Sequence, residues 1–284
     1  MAQFTNQAQL SYNNEVVSSN VAVGEILDAA SVSKTAVTET YTQGDNVTYV
    51  VSIVNSGGTA LQNVTVSDDL GAYTFNGNTL YPLSYTEGSV RYYVNGILQP
   101  TPVVNPGPPL TFTGLNIPAG GNAILVYETT ATGFAPLGAG DLVTNTVTVT
   151  GGNIPTPVTA EETITPAQEP NLTITKSIEP VPVSEGDRVT YTFVIQNYGN
   201  TPAVAADNAS ITDTFNPVLT GLTVAFNGTT WTDGTEYNYS EVTGLFVTVP
   251  GEITVPAATY TQNPTTGEWS VVPGVSTLVV TGTI

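Results

Sequence analysis

One stretch of this chain is written twice. SVSKTAVTETYTQGDNVTYVVSIVNSGGTA, from Ser31 to Ala60, lies over TITKSIEPVPVSEGDRVTYTFVIQNYGNTP, from Thr173 to Pro202. Lys34 falls on Lys176, Gly44 on Gly186, Tyr49 on Tyr191, Asn55 on Asn197 and Gly57 on Gly199, every pair 142 positions apart (176 − 34). VTVSDDL then matches ASITDTF, which puts Asp68 over Asp213 after a three-residue insertion. FNG recurs at Phe75–Gly77 and Phe226–Gly228, where Asn-Gly predicts a type I′ hairpin turn. With 284 residues the chain has room for two domains of roughly 140 residues, one per copy.

Both copies alternate cleanly. Val47, Tyr49, Val51 and Ile53 point one way, as do Val189, Tyr191, Phe193 and Ile195 in the second copy. A period of two, broken at short intervals by turn residues, predicts an all-β fold of two tandem immunoglobulin-like antiparallel β-sandwiches. Val, Thr and Tyr are abundant beside 27 Gly and 20 Pro, and no stretch carries apolar residues at helical spacing. Hydrophobic residues make up 40% of the chain and allow a packed core; only 10% is charged, so Thr, Asn, Ser and Gln must supply the polar surface. The expected divisions are 1–29 for an N-terminal strand and connector, 30–152 for the first sandwich, 153–170 for a Pro-rich linker, and 171–284 for the second sandwich.

Composition also excludes. A net charge of −19 with only four basic residues, Lys34, Arg91, Lys176 and Arg188, rules out nucleic acid as a partner and disfavours anionic membrane surfaces. Without cysteine there are no disulfides and no thiolate chemistry. Without histidine there is no Ser-His-Asp catalysis, and most transition-metal sites are lost. No acidic run has the spacing of a calcium loop, so neither metal nor cofactor is expected. Nothing marks the paired carboxylates of a glycosidase, and an enzyme is not expected. No run has the length of a membrane span, and the N-terminus lacks the basic-then-apolar pattern of a signal peptide. The expectation is a chain exported by an unusual route or one whose leader has been removed.

The second copy stops early. The first ends in NAILVYETTATG and then LVTNTVTVT, whereas the second reaches STLVVTGTI, the counterpart of NAILVYETTATG, at Ile284. The counterpart of the last strand stands at the other end of the chain. In FTNQAQLS, Phe4 matches Val143, Thr5 matches Thr144, Asn6 matches Asn145, Ala8 matches Val147 and Leu10 matches Val149. A sandwich short of its last strand exposes edges and an apolar groove that a free strand can fill. Residues 4–12 are therefore read as a donor strand, with Phe4, Asn6, Ala8 and Leu10 facing inward in a second molecule. Donation of this kind repeats head to tail without closing into a ring. Closure within one molecule is the alternative.

The two lysines of the chain occupy the same place in the first strand of each copy. Each copy has a matched Asp, Asp68 or Asp213, and each is assigned one inward Asn: Asn145 from its own chain, Asn6 from a neighbour. A Lys on the first strand, an acid mid-domain and an Asn on the last strand is the layout a spontaneous isopeptide bond requires. A lysine buried among apolar side chains loses its proton easily, and its neutral amine attacks the carboxamide. The acid polarises the Asn carbonyl and shuttles protons, so Asp68 and Asp213 are the expected proton carriers. Folding holds the reactants at high effective molarity. Asp69 is an alternative acid, but its counterpart is Thr214; Glu128 has no acidic counterpart. The competing readings are a buried Lys–Asp ion pair without a covalent bond, and two surface lysines.

The pattern SVSKT…GDNVTYVVSIVNSG…VTVSDDL…VTNTVTV resembles a repeat domain of Gram-positive surface proteins whose role is undefined, and it does so twice, across nearly the whole chain. That family in turn is similar to the CnaB-type sandwiches of pilins and adhesins, which carry Lys, acid and Asn in this way. The chain also looks like clostridial spore-appendage proteins. The resemblance implies a structural subunit of an extracellular fibre, a spore appendage or pilus-like filament on the cell or spore surface. Its partner is itself, in a head-to-tail homopolymer; the anchor is unknown. The order of elements departs from the family pattern, with the last strand moved to the front, which favours an intermolecular Lys176–Asn6 bond beside an intramolecular Lys34–Asn145 bond. The rival class is a stalk or adhesin module of a larger surface protein, with Tyr-rich YPLSYTEGSVRYYVNG (81–96) as a ligand loop or, more plainly, as packed hairpin strands.

Overall fold

Alternating Val, Tyr and Thr commit nearly every segment to extended backbone, and the computed structural model, which describes residues 2–26 and 30–284, contains strands and one short 3₁₀ turn, Ala205–Asp207. Contacts divide the chain into two units: the first holds the residues up to Ala135 with Leu142–Ile164, the second Pro136–Asp141 with Thr165–Ile284. The boundary expected at residue 29 lies outside the described residues.

The N-terminal segment forms a two-stranded ribbon. β1 (Ala2–Asn6) and β2 (Gln9–Tyr12) turn at Asn13–Asn14 and return as β3 (Glu15–Ser18) and β4 (Ala22–Ile26). Both turn residues have positive φ (44° and 65°), the type I′ geometry that matches strand twist. Leu10 pairs with Val17, Asn6 with Ala22 and Phe4 with Gly24, and these four strands pair with no others among the described residues. The expectation of an unpaired N-terminal strand followed by a connector is corrected here: residues 15–26 supply β1 and β2 with a hydrogen-bonding partner. One face carries Phe4, Leu10, Tyr12 and Val17, all at least half exposed. Burying such side chains stabilises by about 1.5–3 kcal/mol each, a gain the ribbon alone forgoes.

Unit 1 continues with β5 (Ala30–Ala36), β6 (Thr40–Tyr41), β7 (Asn46–Asn55), β8 (Leu61–Asp68), β9 (Tyr73–Phe75), β10 (Asn78–Leu80), β11 (Leu83–Tyr85), β12 (Arg91–Val94), β13 (Ile97–Leu98), β14 (Val103–Asn105), β15 (Leu110–Ile117), β16 (Asn122–Ala131), β17 (Val143–Thr150) and β18 (Val158–Pro166). One sheet runs β13-β12-β16-β7-β5, with β11 also on β16; the other runs β14-β15-β8-β17-β18-β6. The inward Val47, Tyr49, Val51 and Ile53 of β7 are fully buried, as are Phe112 and Leu115 of the opposite sheet. Residues 158–166, expected as part of a linker, are a strand paired with β17 along seven register positions from Val143↔Ile164 to Val149↔Val158. The Tyr-rich segment 81–96 packs as strands: Tyr85 lies edge-on to Phe112, and the Tyr92 hydroxyl donates to the Asn116 carbonyl at 2.9 Å.

Unit 2 consists of β19 (Leu172–Glu179), β20 (Arg188–Asn197), β21 (Thr212–Thr214), β22 (Thr220–Phe226), β23 (Thr229–Trp231), β24 (Tyr237–Tyr239), β25 (Leu245–Thr248), β26 (Thr259–Gln262), β27 (Trp269–Val272) and β28 (Gly274–Thr283), of which β19, β20, β21 and β28 repeat β5, β7, β8 and β16. Its larger sheet is β19-β20-β28-β22-β23; the facing one has only β21-β25-β24. Phe193, Phe215, Phe226, Phe246 and Leu278 form its core. Where β8 pairs with β15 on one side and β17 on the other, β21 pairs with β25 alone among the described residues. The consequence shows on β19. Every residue of it is exposed, with Ile174 at 51%, whereas its counterpart β5 buries Ala30 and Lys34. The Asn-Gly pairs at 76–77 and 227–228 both have positive φ and close the β9–β10 and β22–β23 hairpins.

The repeated Asn-x-Gly has a structural cause. Asn55 is fully buried, donates to the carbonyls of Thr59 and Pro118 at 2.9 Å, and accepts from the Gly57 amide at 3.0 Å. Asn197 does the same with Thr201, Pro256 and Gly199. A Cβ on Gly199 would lie 2.0 Å from the Glu169 carbonyl, so only glycine fits. Asn197→Ala strands buried backbone groups without partners and is expected to cost about 2 kcal/mol, read as a lower denaturation midpoint for unit 2 with the unit 1 transition unmoved.

Candidate functional site

In unit 1 the first and last strands of the repeat meet across the sandwich at one carboxylate. Lys34 stands in register with Val51 on one sheet, and Asp68 with Val147 of β17 on the other. Lys34 Nζ donates to Asp68 Oδ2 at 2.9 Å, both side chains fully shielded from solvent. Asn145, two residues before Val147 and on the same face of β17, donates through Nδ2 to that same oxygen at 3.4 Å. The Tyr127 hydroxyl of β16 donates to it as well. Oδ1 accepts the Leu70 amide at 2.7 Å. Leu70 has φ 57°, a left-handed conformation that a bulky side chain rarely adopts, so Asp68 also pins a strained turn.

Burial lowers the pKa of Lys34, with Asp68 offsetting part of the effect. Its ammonium sits 4.6 Å from the centre of the Tyr49 ring. Burial raises the Tyr127 phenol well above its usual value, and Asp68 adds to the rise. Tyr49 is raised by burial and partly relieved by Asn145. Asn145 Oδ1, also buried, accepts no hydrogen bond among the described residues. A half-turn of the carboxamide would bring its oxygen to Asp68 instead, the orientation in which a protonated Asp68 donates to the carbonyl. The arrangement therefore places an amine of lowered basicity, an acid and a carboxamide around one oxygen atom, away from water.

The other acids are engaged elsewhere. Asp69 Oδ1 accepts the backbone amides of Gly71 and Thr146, bracing the turn and β17. Glu128 follows Tyr127 in an alternating strand and points to the other face of β16. Tyr127 and Tyr49 are site residues the sequence reading did not name. Tyr49 was matched as a repeated position; Tyr127 aligns with Val280, since Tyr49↔Tyr127 and Tyr191↔Val280 are equivalent pairs, so a search for shared residues passes over it.

Unit 2 holds the same site in part. Lys176 Nζ bonds to Asp213 Oδ2 and lies over the rings of Tyr191, Phe193 and Phe215 at 4.6, 5.3 and 5.1 Å. The Lys176 side chain is 37% exposed, and no asparagine hydrogen-bonds to the pair among the described residues. Asn6, Phe4, Ala8 and Leu10 are exposed on the ribbon, which belongs to unit 1. No cluster of acidic side chains suited to a metal ion occurs among the described residues, and no helix there is long and apolar enough to cross a membrane.

The chain matches no protein-family model and no curated protein. Solved structures similar to it include the pilus backbone RrgB from Streptococcus pneumoniae (12% identity, 86% of this chain and 55% of that one, TM-score 0.35). BcpA, the major pilin subunit of Bacillus cereus, is another (11% identity, 95% and 73%, TM-score 0.35). A third is the major pilin SpaD from Corynebacterium diphtheriae (14% identity, 86% and 61%, TM-score 0.36). The chain thus spans little more than half the length of the first of these.

The contrast between the two lysines has a measurable consequence. Lys34→Met leaves Asp68 buried without its cation and is expected to destabilise unit 1 by about 3–5 kcal/mol. Lys176→Met removes a solvent-screened pair and is expected to change unit 2 by about 1 kcal/mol or less, both read from denaturant unfolding.

Proposed function

We propose that this chain is a structural subunit of an extracellular fibre, of the kind represented by pili and spore appendages, whose copies join head to tail. The observation that carries the reading is the match between two places in the chain. Among the described residues unit 2 leaves the edge of β21 free where unit 1 seats β17, and the N-terminal ribbon repeats the sequence of β17, Asn included. The ribbon of one copy would complete unit 2 of the next, bringing Asn6 to Lys176 and Asp213.

The chemistry is the same at both sites. A proton passes from the Lys Nζ to the Asp carboxylate, leaving a neutral amine and a neutral acid. The amine attacks Cγ of the Asn, while the acid polarises the carboxamide oxygen. The Cγ–Nδ2 bond breaks, Nδ2 takes the one proton that Nζ gives up and leaves as ammonia, and an amide joins Nζ to Cγ; the proton held by the acid departs with the ammonia as ammonium and regenerates the carboxylate. No oxidant or cofactor is consumed. In unit 1 the reacting pair is Lys34 and Asn145; at the joint it is Lys176 and Asn6, with Asp68 and Asp213 as the respective proton carriers. The low basicity of buried Lys34 and the three groups gathered at Asp68 Oδ2 support the first bond; the free β21 edge supports the second.

Purified protein boiled in SDS is expected to run as a covalent ladder, whereas Lys176→Ala, Asn6→Ala and a chain lacking residues 1–12 run as monomers. A single monomer band for the unsubstituted protein overturns the intermolecular bond, and absence of filaments by electron microscopy overturns strand donation. Intact mass tests the internal bond separately. On the Lys176→Ala background the chain is expected to be lighter than its sequence by one ammonia, and adding Lys34→Ala should abolish that deficit.

A further inference from the structure

Within the fibre reading, on which it rests, the geometry points to a more specific joint: the donated element is the whole hairpin 2–26, entering as a preformed two-stranded unit rather than as a single strand. β1 and β2 take the place of β17 beside β21, and β3 and β4 take the place of β18.

Three observations carry this. First, β17 is not the edge of its sheet in unit 1: β18 covers it along seven register positions, so the place left uncovered beside β21 among the described residues is that of a hairpin. The ribbon has the same build. Asn145 faces Glu162 and Val149 faces Val158 in unit 1; in the ribbon Asn6 faces Ala22 and Leu10 faces Val17.

Second, the two ribbon strands compensate for each other at the position that must fit the core. In unit 1 that position is the buried pair Val143 and Ile164. The ribbon has Phe4 opposite Gly24, and the ring lies over the glycine so closely that a Cβ there would sit 2.3 Å from its Cζ. A glycine in a strand interior weakens it unless something packs across the gap. Two medium side chains have been exchanged for one large ring and a space, an exchange that fills the same volume only while β4 stays beside β1.

Third, the apolar face is shared by both strands. Phe4, Leu10 and Tyr12 come from the outgoing strand and Val17 from the return, each at least half exposed. A single-strand donor would need only the first three, and would leave a second strand edge where unit 1 has none before β18.

A staple across the ribbon separates the two modes. Tyr12 and Glu15 flank a two-residue turn, so Gln9↔Ser18 and Ser11↔Val16 are non-hydrogen-bonded pairs, where side chains approach closely enough for a disulfide. Both pairs lie on the face away from Phe4 and Asn6, and the chain has no other cysteine. Donor chains carrying Lys176→Ala with either Gln9→Cys and Ser18→Cys or Ser11→Cys and Val16→Cys are oxidised, mixed with Asn6→Ala acceptor chains, and diluted together from denaturant. Products are reduced before SDS electrophoresis, so only the amide holds a dimer. Hairpin donation predicts a covalent dimer at the same rate from oxidised and reduced donors. A dimer from reduced donors alone overturns it in favour of single-strand entry. Failure of an unstapled Lys176→Ala donor to form the dimer overturns instead the Lys176–Asn6 bond of the proposed function.

Discussion

A carboxylate with no access to water must find its donors inside the protein, and Asp68 finds four. Lys34, Tyr127 and Asn145 meet one oxygen, and the Leu70 amide meets the other. These groups come from β5, β16, β17 and the turn after β8, so satisfying one buried charge fixes the relation of the two sheets and the conformation of a strained turn. Moving any one of these strands by a residue would reverse its faces and leave the charge unpaired. The apolar core tolerates some repacking; this cluster does not.

The equivalent carboxylate in unit 2 shows what β17 and Tyr127 contribute in unit 1. Asp213 keeps its lysine and the aromatic rings beneath it, but Val280 stands where Tyr127 would, and the amine is open to solvent. In the proposed fibre, a strand seated beside β21 would remove water and bring Asn6 to the pair in a single event. Unit 2 nonetheless retains a core around Phe215 and Phe246, which lets it fold while the site remains open.

Much of this was legible in the residues. Period-two alternation gave the strands, the shift of 142 gave the two copies, and matching Lys, Asp and Asn across them singled out the groups gathered at Asp68. What was missed has definite causes. β18 has the sequence of a linker because prolines flank it and Glu162 occupies an inward position, which breaks the apolar alternation. β3 and β4 were read as connector because the register slips between Asn6↔Ala22 and Gln9↔Ser18, and a bulge moves later residues to the other face. Tyr127 escaped because comparing copies reveals only what they share. A tyrosine at an inward position directly across from Tyr49 was the available signal.

The place of Lys34 and Asn145 in the topology also has a mechanical meaning. β5 opens the body of unit 1 and β17 stands near its end, and the two lie in different sheets with no ladder between them. Tension applied along the chain pulls these strands in opposite directions, shearing one sheet over the other. Side-chain packing resists such sliding weakly, because each contact can be exchanged for the next. The polar bridge through Asp68 ties the two strands directly, near the line of pull. In the proposed fibre, an amide there would pass the load from β5 to β17 directly and leave β18 and its connection as the part of unit 1 still in the line of pull.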